Sequence, residues 1–233
     1  MNVVITGASR GMGKAMAARF AADGYNLFLC SKDETRLSEC AVELKAANKK
    51  SNILFYPADL GNKTETQNFG KWILQQNTSI DILINNAGHF LPGSVYNEED
   101  GTLEKMIHVN LYSAYHLTRI LLPKMMAQKQ GHIFNICSIA SLNAYSNGGS
   151  YSISKFALMG FSKNLREEMK PHNIKVTSVY PGAVYTDSWK AAGVDRARIM
   201  EVTDVAETVY TISKLSPQAC VEDIVLRPQL GDL

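Results

Sequence analysis

The chain opens with MNVVITGASRGMG, residues 1–13, and this stretch decides the fold. Its apolar, β-branched run up to Thr6 predicts a short buried strand. Glycines at positions 7, 11 and 13 follow, where the backbone can turn tightly and approach another group closely. The pattern after Gly13 predicts a helix that continues to about Asp23. The stretch therefore predicts a strand, a glycine-rich turn and a helix in immediate succession.

A glycine-rich turn in this position predicts a site for a phosphorylated ligand. The start of a helix carries free backbone N–H groups and a partial positive charge, and both attract anions. An ordinary strand-to-helix turn is the alternative, but the place between a first strand and a helix favours dinucleotide binding. The predicted binding residues are Gly7, Ser9, Arg10, Gly11, Met12 and Gly13.

Six further strands are predicted along the chain, separated by helical patterns. The seven predicted strands are Met1–Thr6, Asn26–Cys30, Asn52–Tyr56, Asp81–Asn85, His132–Cys137, Ile174–Val179 and Val221–Leu226. Strands that alternate with helices form right-handed crossovers and a parallel sheet covered on both faces. No repeat or linker interrupts the pattern, so residues 1–233 are predicted to form one domain. We expect a doubly wound α/β architecture of the Rossmann type, with seven parallel strands and ligands bound beyond their carboxyl ends.

The composition argues against several classes of protein. The 233 residues carry a formal net charge of +2 with acids and bases interspersed, whereas a nucleic-acid surface needs a concentrated basic stripe. The four cysteines form no C-x-x-C pair and no metal-ligand spacing, so we expect no metal and a reducing compartment. The sequence also has no long hydrophobic segment and no basic leader before the first strand. We therefore expect a cytoplasmic protein that binds neither nucleic acid nor membrane.

The residues after the second strand predict which dinucleotide is bound. NAD sites usually carry an acidic side chain here, which holds the ribose 2′-hydroxyl. This chain has Ser31 and Lys32 instead, with no acid before Asp33, and Arg10 adds a second cation from the glycine turn. Two cations and a hydroxyl suit a 2′-phosphate, which favours NADP(H) over NAD(H). The alternative is that Lys32 and Arg10 are ordinary exposed charges.

Two further turns at strand ends are candidates for contact with the nucleotide. Asp59 and Leu60 follow the third strand, and the Asp59 carboxylate can accept a hydrogen bond from an adenine amino group. Asn86, Ala87 and Gly88 follow the fourth strand, and the small residues let the backbone lie against a ligand. Either turn taken alone has a plain structural explanation.

A proton-transfer pair is predicted at Tyr151 and Lys155, in the pentapeptide YSISK. Residues four apart lie on one face of a helix. The ammonium group can therefore lower the pKa of the phenol, which could then exchange a proton with a carbonyl oxygen. Tyr210 and Lys214, in YTISK, have the same spacing. The pentapeptide alone does not decide between the two pairs.

Four motifs occur in one order along the chain. They are Thr-Gly-x-x-x-Gly-x-Gly, Asn-Asn-Ala-Gly, a serine thirteen residues before Tyr-x-x-x-Lys, and Pro-Gly-x-Val-x-Thr. Together they resemble the classical short-chain dehydrogenase/reductase family over the whole chain. The resemblance favours Tyr151, because Ser138 lies thirteen residues before it and ends a predicted strand. Tyr210 has Ala197 at that distance, so helix packing is its expected role.

The resemblance implies a role for each of these residues. Ser138 would bond the substrate carbonyl oxygen, Tyr151 would act as general acid in reduction and base in oxidation, and Lys155 would hold the nicotinamide ribose. Asn110 resembles the asparagine that anchors a proton-relay water. The segment expected along the nicotinamide comprises Pro181, Gly182, Val184 and Thr186. The implied activity is reversible hydride transfer between NADP(H) and a small ketone or alcohol.

The sequence leaves the substrate open. A short lid is expected at about residues 187–202, and the candidate pocket walls are Phe90, Leu91, Ile139, Tyr145, Tyr185 and Trp189. PGAVYT at 181–186, the following tryptophan and the tail at 222–228 are similar to bacterial sepiapterin-reductase-like members, which implies a pterin ketone. A 3-oxoacyl-thioester reductase is the alternative among enzymes, and a non-catalytic NADP-binding sensor is the alternative from another class.

The same resemblance implies an assembly. Members of the family pair through two long helices, which correspond here to about Glu99–Gln128 and Ser150–Lys170. We therefore expect a homodimer or a homotetramer.

Overall fold

The strands form a single parallel sheet in the computed structural model, which describes residues 1–187, 189 and 193–233. The strands are β1 (Asn2–Thr6), β2 (Asn26–Ser31), β3 (Ile53–Pro57), β4 (Ile82–Asn85), β5 (Gly131–Ile136), β6 (Ile174–Pro181) and β7 (Asp223–Leu226). Across the described ranges, these seven strands lie in the order β3-β2-β1-β4-β5-β6-β7. The predicted doubly wound architecture with a seven-stranded parallel sheet is confirmed.

Helices connect the strands and cover both faces of the sheet. Within the described residues they are α1 (Gly11–Ala22), α2 (Glu34–Ala47), α3 (Lys63–Gln75), α4 (Thr102–Ile107), α5 (Ser113–Gln128), α6 (Gly149–Met169) and α7 (Val202–Ser213). The single helix predicted over 99–128 is wrong in two respects. It begins only at Thr102, because Gly101 has a left-handed φ of 82°, and a π-helical turn at His108–Tyr112 separates α4 from α5.

The strands are buried on both sides, as expected for a parallel sheet. In β1, Val3 and Ile5 pack in the core shared with α1, α2 and α7, whereas Val4 packs in the core shared with α3, α5 and α6. Alternate residues of one strand therefore supply both cores, because successive side chains point to opposite faces. None of the helices in the described ranges is long and apolar enough to cross a membrane.

The strand order reverses direction between β1 and β4, which are neighbours in the sheet. From β1 the chain builds the sheet towards β3, and from β4 it builds towards β7. The connections after β1 and β4 therefore diverge and leave a crevice beyond their carboxyl ends. The glycine-rich turn and the Asn86 turn both lie at this point.

Candidate active site

The glycine-rich turn places the start of α1 at the crevice. Gly7 has a φ of 63°, and a Cβ atom at Gly13 would lie only 2.1 Å from the Gly7 carbonyl oxygen, so both positions require glycine. Arg10, in extended conformation, precedes α1 and its side chain makes no cap bond within the described chain; the first turn of α1 also contains no acid. The N–H groups at the start of α1 therefore remain available to an anion such as a pyrophosphate.

Thr6 fixes the two turns of the crevice against each other. Its hydroxyl accepts hydrogen bonds from the backbone N–H groups of Asn86 and Ala87, each at 2.9 Å. In return, Asn86 Nδ2 donates to the carbonyl oxygens of Thr6 at 2.9 Å and Gly7 at 3.2 Å. Asn86 thus holds the glycine turn in place through two hydrogen bonds to its backbone. Thr6 is the first residue of the Thr-Gly-x-x-x-Gly-x-Gly motif, but the sequence reasoning gave it no role.

The end of β2 carries the hydroxyl, Ser31, and one of the two cations, Lys32, predicted for a 2′-phosphate. Ser9 Oγ and Ser31 Oγ lie 2.8 Å apart. The Lys32 ammonium lies 2.7 Å from Asp59 Oδ2, and this contact holds the pKa of the Asp59 carboxyl below its usual value. Lys32 is 78% exposed, so the pair is weak and its cation can exchange partners. Leu60, beside Asp59, is buried.

Arg10 reaches across the mouth of the crevice to the segment after β6. Its guanidinium lies 3.1 Å from Asp187 Oδ2, and both side chains are more than 60% exposed. A Cβ atom at Gly11 would also lie 3.5 Å from Thr186 Cγ2. The glycine turn and the segment that ends at Thr186 therefore lie against each other.

That segment is fixed by its neighbours in the sheet. Gly182 N donates to the Leu226 carbonyl at 2.8 Å, and Val184 is buried and paired with Met200. The structure describes only part of the predicted lid at 187–202, because residues 188 and 190–192 lie outside the described residues. Trp189 is half-buried, and residues 196–198 form a short 3₁₀ turn.

Tyr151 lies in the first turn of α6 and faces aromatic and hydroxyl groups. The Phe90 ring meets it edge-on, with centroids 4.9 Å apart. Ser138, which is 8% exposed, lies close enough to the phenol to influence its pKa, and its Oγ accepts from Ala140 N at 3.1 Å. Burial raises the pKa of Tyr151 to about 12, and the neighbouring Ser138 hydroxyl acts in the opposite direction.

Lys155 lies one turn further along α6 and is almost completely buried. Its Nζ donates to the Ile136 carbonyl at 2.8 Å and lies 5.9 Å from the centre of the Tyr151 ring. Burial lowers the pKa of Lys155 to about 8. Burial is the largest influence on both groups: it raises the pKa of the Tyr151 phenol and lowers the pKa of the Lys155 ammonium.

Asn110 holds the loop after β4 against α6. It lies in the π-helical turn and is 1% exposed. Its Nδ2 donates to the His89 carbonyl at 3.0 Å and to Ser154 Oγ at 2.8 Å, and its Oδ1 accepts from His89 N at 2.7 Å. A Cβ atom at Gly88 would lie 3.3 Å from Asn110 Oδ1 and 3.5 Å from Lys155 Nζ. The sequence-predicted residues of this group are therefore brought together.

The second Tyr-x-x-x-Lys pair lies elsewhere and is used for packing. The Tyr210 hydroxyl donates to Asp23, and the Arg19 guanidinium lies 3.5 Å from the centre of its ring. Lys214 Nζ donates to the Tyr25 hydroxyl at 3.2 Å. All these contacts join α7 to α1 and the turn that follows it, away from the crevice.

The profile of the short chain dehydrogenase family matches residues 1–197. The chain belongs to this family. It is an oxidoreductase by family, and the resemblance inferred from its motifs is confirmed.

Several relatives of known type are similar over nearly the whole chain. The sepiapterin reductase of Chlorobaculum tepidum is 30% identical over 99% of this chain and 97% of its own length. The closed form of a serine dehydrogenase complexed with NADP⁺ is 28% identical, with a TM-score of 0.91 over 100% of this chain and 97% of that chain. The L-sorbose reductase of Gluconobacter frateurii, complexed with NADPH and L-sorbose, is 25% identical, with a TM-score of 0.89 over 97% and 94%.

Proposed function

We propose that this protein is an NADP(H)-dependent reductase of a small ketone, with Tyr151 as the general acid. The convergence of Ser138, Tyr151, Lys155 and Asn110 at the crevice carries the proposal. Relatives complexed with NADP⁺ or NADPH support the choice of cofactor. Bound there, the cofactor would supply the hydride.

The proton chemistry follows from the two hydroxyl groups. Ser138 Oγ accepts from Ala140 N, which leaves its own proton free to donate to a substrate carbonyl oxygen. Because the pKa of Tyr151 is about 12, its phenol is protonated at neutral pH and can donate to the oxygen as negative charge develops on it. Alcohol oxidation requires the deprotonated phenol as base, so it should become faster at alkaline pH.

The glycine turn and the end of β2 fit the rest of the cofactor. The open N–H groups of α1 suit the pyrophosphate, and Ser31, Lys32 and Arg10 suit a 2′-phosphate. Lys155 would bind the ribose hydroxyls, and Thr186 would bond the nicotinamide carboxamide. When the doubly charged phosphate binds, Lys32 would leave Asp59 and Arg10 would leave Asp187 to pair with the phosphate.

Replacement of the phenol tests the proposal directly. Tyr151→Phe should abolish turnover, because no group remains to protonate the substrate oxygen, and should leave the Kd for NADPH unchanged. Tyr210→Phe is the matched control, since it removes the hydroxyl of the twin motif and should retain turnover. Wild-type turnover in Tyr151→Phe would refute the mechanism.

The cofactor preference is tested at the two cations. Lys32→Ala combined with Arg10→Ala should raise the Kd for NADPH by about ten- to a hundredfold, because charge-assisted bonds to the phosphate are lost. The Kd for NADH should be unchanged. Arg36→Ala, which breaks the exposed contact with Asp33 in the neighbouring helix, is the control. An unchanged Kd for NADPH in the double variant would overturn the preference.

Two narrower activities remain open within this function. Similarity to a sepiapterin reductase supports a pterin ketone, and a 3-oxoacyl thioester is the alternative. An NADPH-consumption screen of sepiapterin, dicarbonyls and acyl-thioester ketones separates them. If no compound in the screen led to NADPH consumption, the result would instead favour the non-catalytic sensor. The retention of all four site residues argues against that alternative.

A further inference from the structure

The helix that carries Tyr151 and Lys155 lacks a cap of its own. Within α6, all of whose residues are described, the capping residue Gly148 offers no side chain and the first turn contains no acid. The N–H groups at a helix start need acceptors and favour a negative charge. A residue from another part of the chain must therefore meet this need.

Glu98, which lies 52 positions before Ser150 in the chain, supplies the missing acceptor and negative charge. Its Oε2 accepts from the backbone N–H of Ser150 at 3.3 Å, and its Oε1 accepts from the Ser150 hydroxyl. One side chain thus binds both the backbone and the side chain of the residue directly before Tyr151. The carboxylate also brings negative charge to the positive end of α6.

Further contacts hold the Glu98 loop against the segment that leads into α6. Gly93 N donates to the Asn147 carbonyl at 3.1 Å, and Ser94 Oγ donates to Asn147 Oδ1 at 2.9 Å. A Cβ atom at Gly149 would lie 2.5 Å from the Gly93 carbonyl oxygen, so the two segments touch backbone to backbone. The same loop begins beside Phe90, whose ring contacts Tyr151.

We propose that Glu98 is a positioning residue for the reaction, which anchors the start of α6 to the Phe90 loop and so holds the Tyr151 hydroxyl in place for proton transfer. The proposal rests on the proposed function, in which that hydroxyl is the acid. Misplacement of a reacting group by about 1 Å costs on the order of a hundredfold in rate. A carboxylate that fixes the adjacent residue can therefore matter for turnover without touching substrate.

Kinetics of four variants with sepiapterin and 2,3-butanedione test this role. Glu98→Ala should lower kcat by about ten- to a hundredfold, with the KM and Kd for NADPH unchanged. Glu98→Gln should restore most of kcat, because its amide oxygen still accepts from Ser150. Glu99→Ala, which removes the neighbouring exposed carboxylate, should behave as wild type. Glu98→Ala with Ser150→Ala should be no slower than Glu98→Ala alone.

Hydrogen exchange gives a readout that needs no substrate. Amides at 149–152 should exchange faster in Glu98→Ala than in wild type or Glu99→Ala, while α7 should be unchanged. If Glu98→Ala does not fold, Glu98→Gln and Ser150→Ala carry the same comparison, with a smaller fall in kcat expected for each.

Two results would overturn the role of Glu98. One is wild-type kcat in Glu98→Ala, and the other is an equal loss of NADPH binding and kcat, as expected for general unfolding. Wild-type kcat in Glu98→Ala together with an inactive Tyr151→Phe refutes only the Glu98 proposal. Activity in Tyr151→Phe refutes the proposed function itself.

Discussion

A buried histidine should make the stability of this protein depend on pH. His132 lies in β5, is 5% exposed and stacks on Phe134 with ring centroids 3.9 Å apart. Its Nε2 lies 2.8 Å from Thr177 Oγ1, and that hydroxyl donates to the Val221 carbonyl. Thr177 Oγ1 therefore accepts a hydrogen bond from the Nε2–H group of a neutral imidazole. Burial lowers the pKa of His132 from 6.5 to about 3.

The sign of the pH effect follows from this shift. Below pH 6.5 the unfolded chain binds a proton at His132 and the folded chain does not, so stability is full above pH 6.5 and falls progressively towards pH 3. Between pH 7 and 5 this site alone should cost about 2 kcal/mol of unfolding free energy. Denaturant titrations should show a smaller loss in His132→Gln over that range. His172→Gln controls for loss of a histidine outside the sheet, and an unchanged loss in His132→Gln would contradict the prediction.

At the scale of elements, α6 offers two serines with opposite expected effects. Ser152 and Ser154 are both buried, but Ser152 Oγ has no hydrogen-bond partner among the residues the structure describes. Ser154 Oγ donates to the Tyr151 carbonyl at 2.7 Å and accepts from Asn110 Nδ2 at 2.8 Å. The same substitution therefore removes an unsatisfied group at one site and a bonded group at the other.

Thermal and denaturant unfolding should separate the two variants. Ser152→Ala should leave the free energy of unfolding unchanged or raise it by up to about 1 kcal/mol, since alanine also favours helix. Ser154→Ala should lower it by about 1–2 kcal/mol, because the bond to Asn110 is lost. Equal destabilisation by both substitutions would mean that Ser152 has a partner after all.

The elements themselves were largely predictable from sequence, since strand and helix periodicities depend on local residues. The π-helical turn was not, because HVNLY carries no local signal for it. Its Asn110 is held by bonds to His89 and Ser154, which lie 21 and 44 residues away. Similarly, YSISK and YTISK differ by one residue, and what distinguishes them is Ser138, which lies thirteen residues before Tyr151.

Two of the contacts that sequence reasoning missed are long-range pairings. Arg10 meets Asp187 at a separation of 177 residues, and Glu98 meets Ser150 at 52. Neither pairing produces a pattern along the chain, because each depends on which strand ends the topology brings together. The candidate residues could thus be named from the sequence, whereas their partners required the fold.

At the scale of the whole molecule, α5 and α6 share an outward groove that suits the expected self-association. Leu122, Met126 and Phe161 are among its apolar lining residues, and it also carries Arg119 and Glu168. A surface with both charges and an apolar centre can be complementary to itself around a twofold axis. The homodimer or homotetramer is therefore proposed to cover this groove.

A charge placed in the groove tests the assembly. Ala157 is half-buried in its wall on α6, so Ala157→Arg should fold normally and prevent close contact between copies. Sedimentation velocity should show a multimer for wild type and a monomer for Ala157→Arg. Val42→Arg, at a position 64% exposed on α2, adds the same charge elsewhere and should remain a multimer. A monomeric wild type would refute self-association. A multimeric Ala157→Arg would show that the interface lies on another face, because buried interfaces rarely tolerate an unpaired arginine.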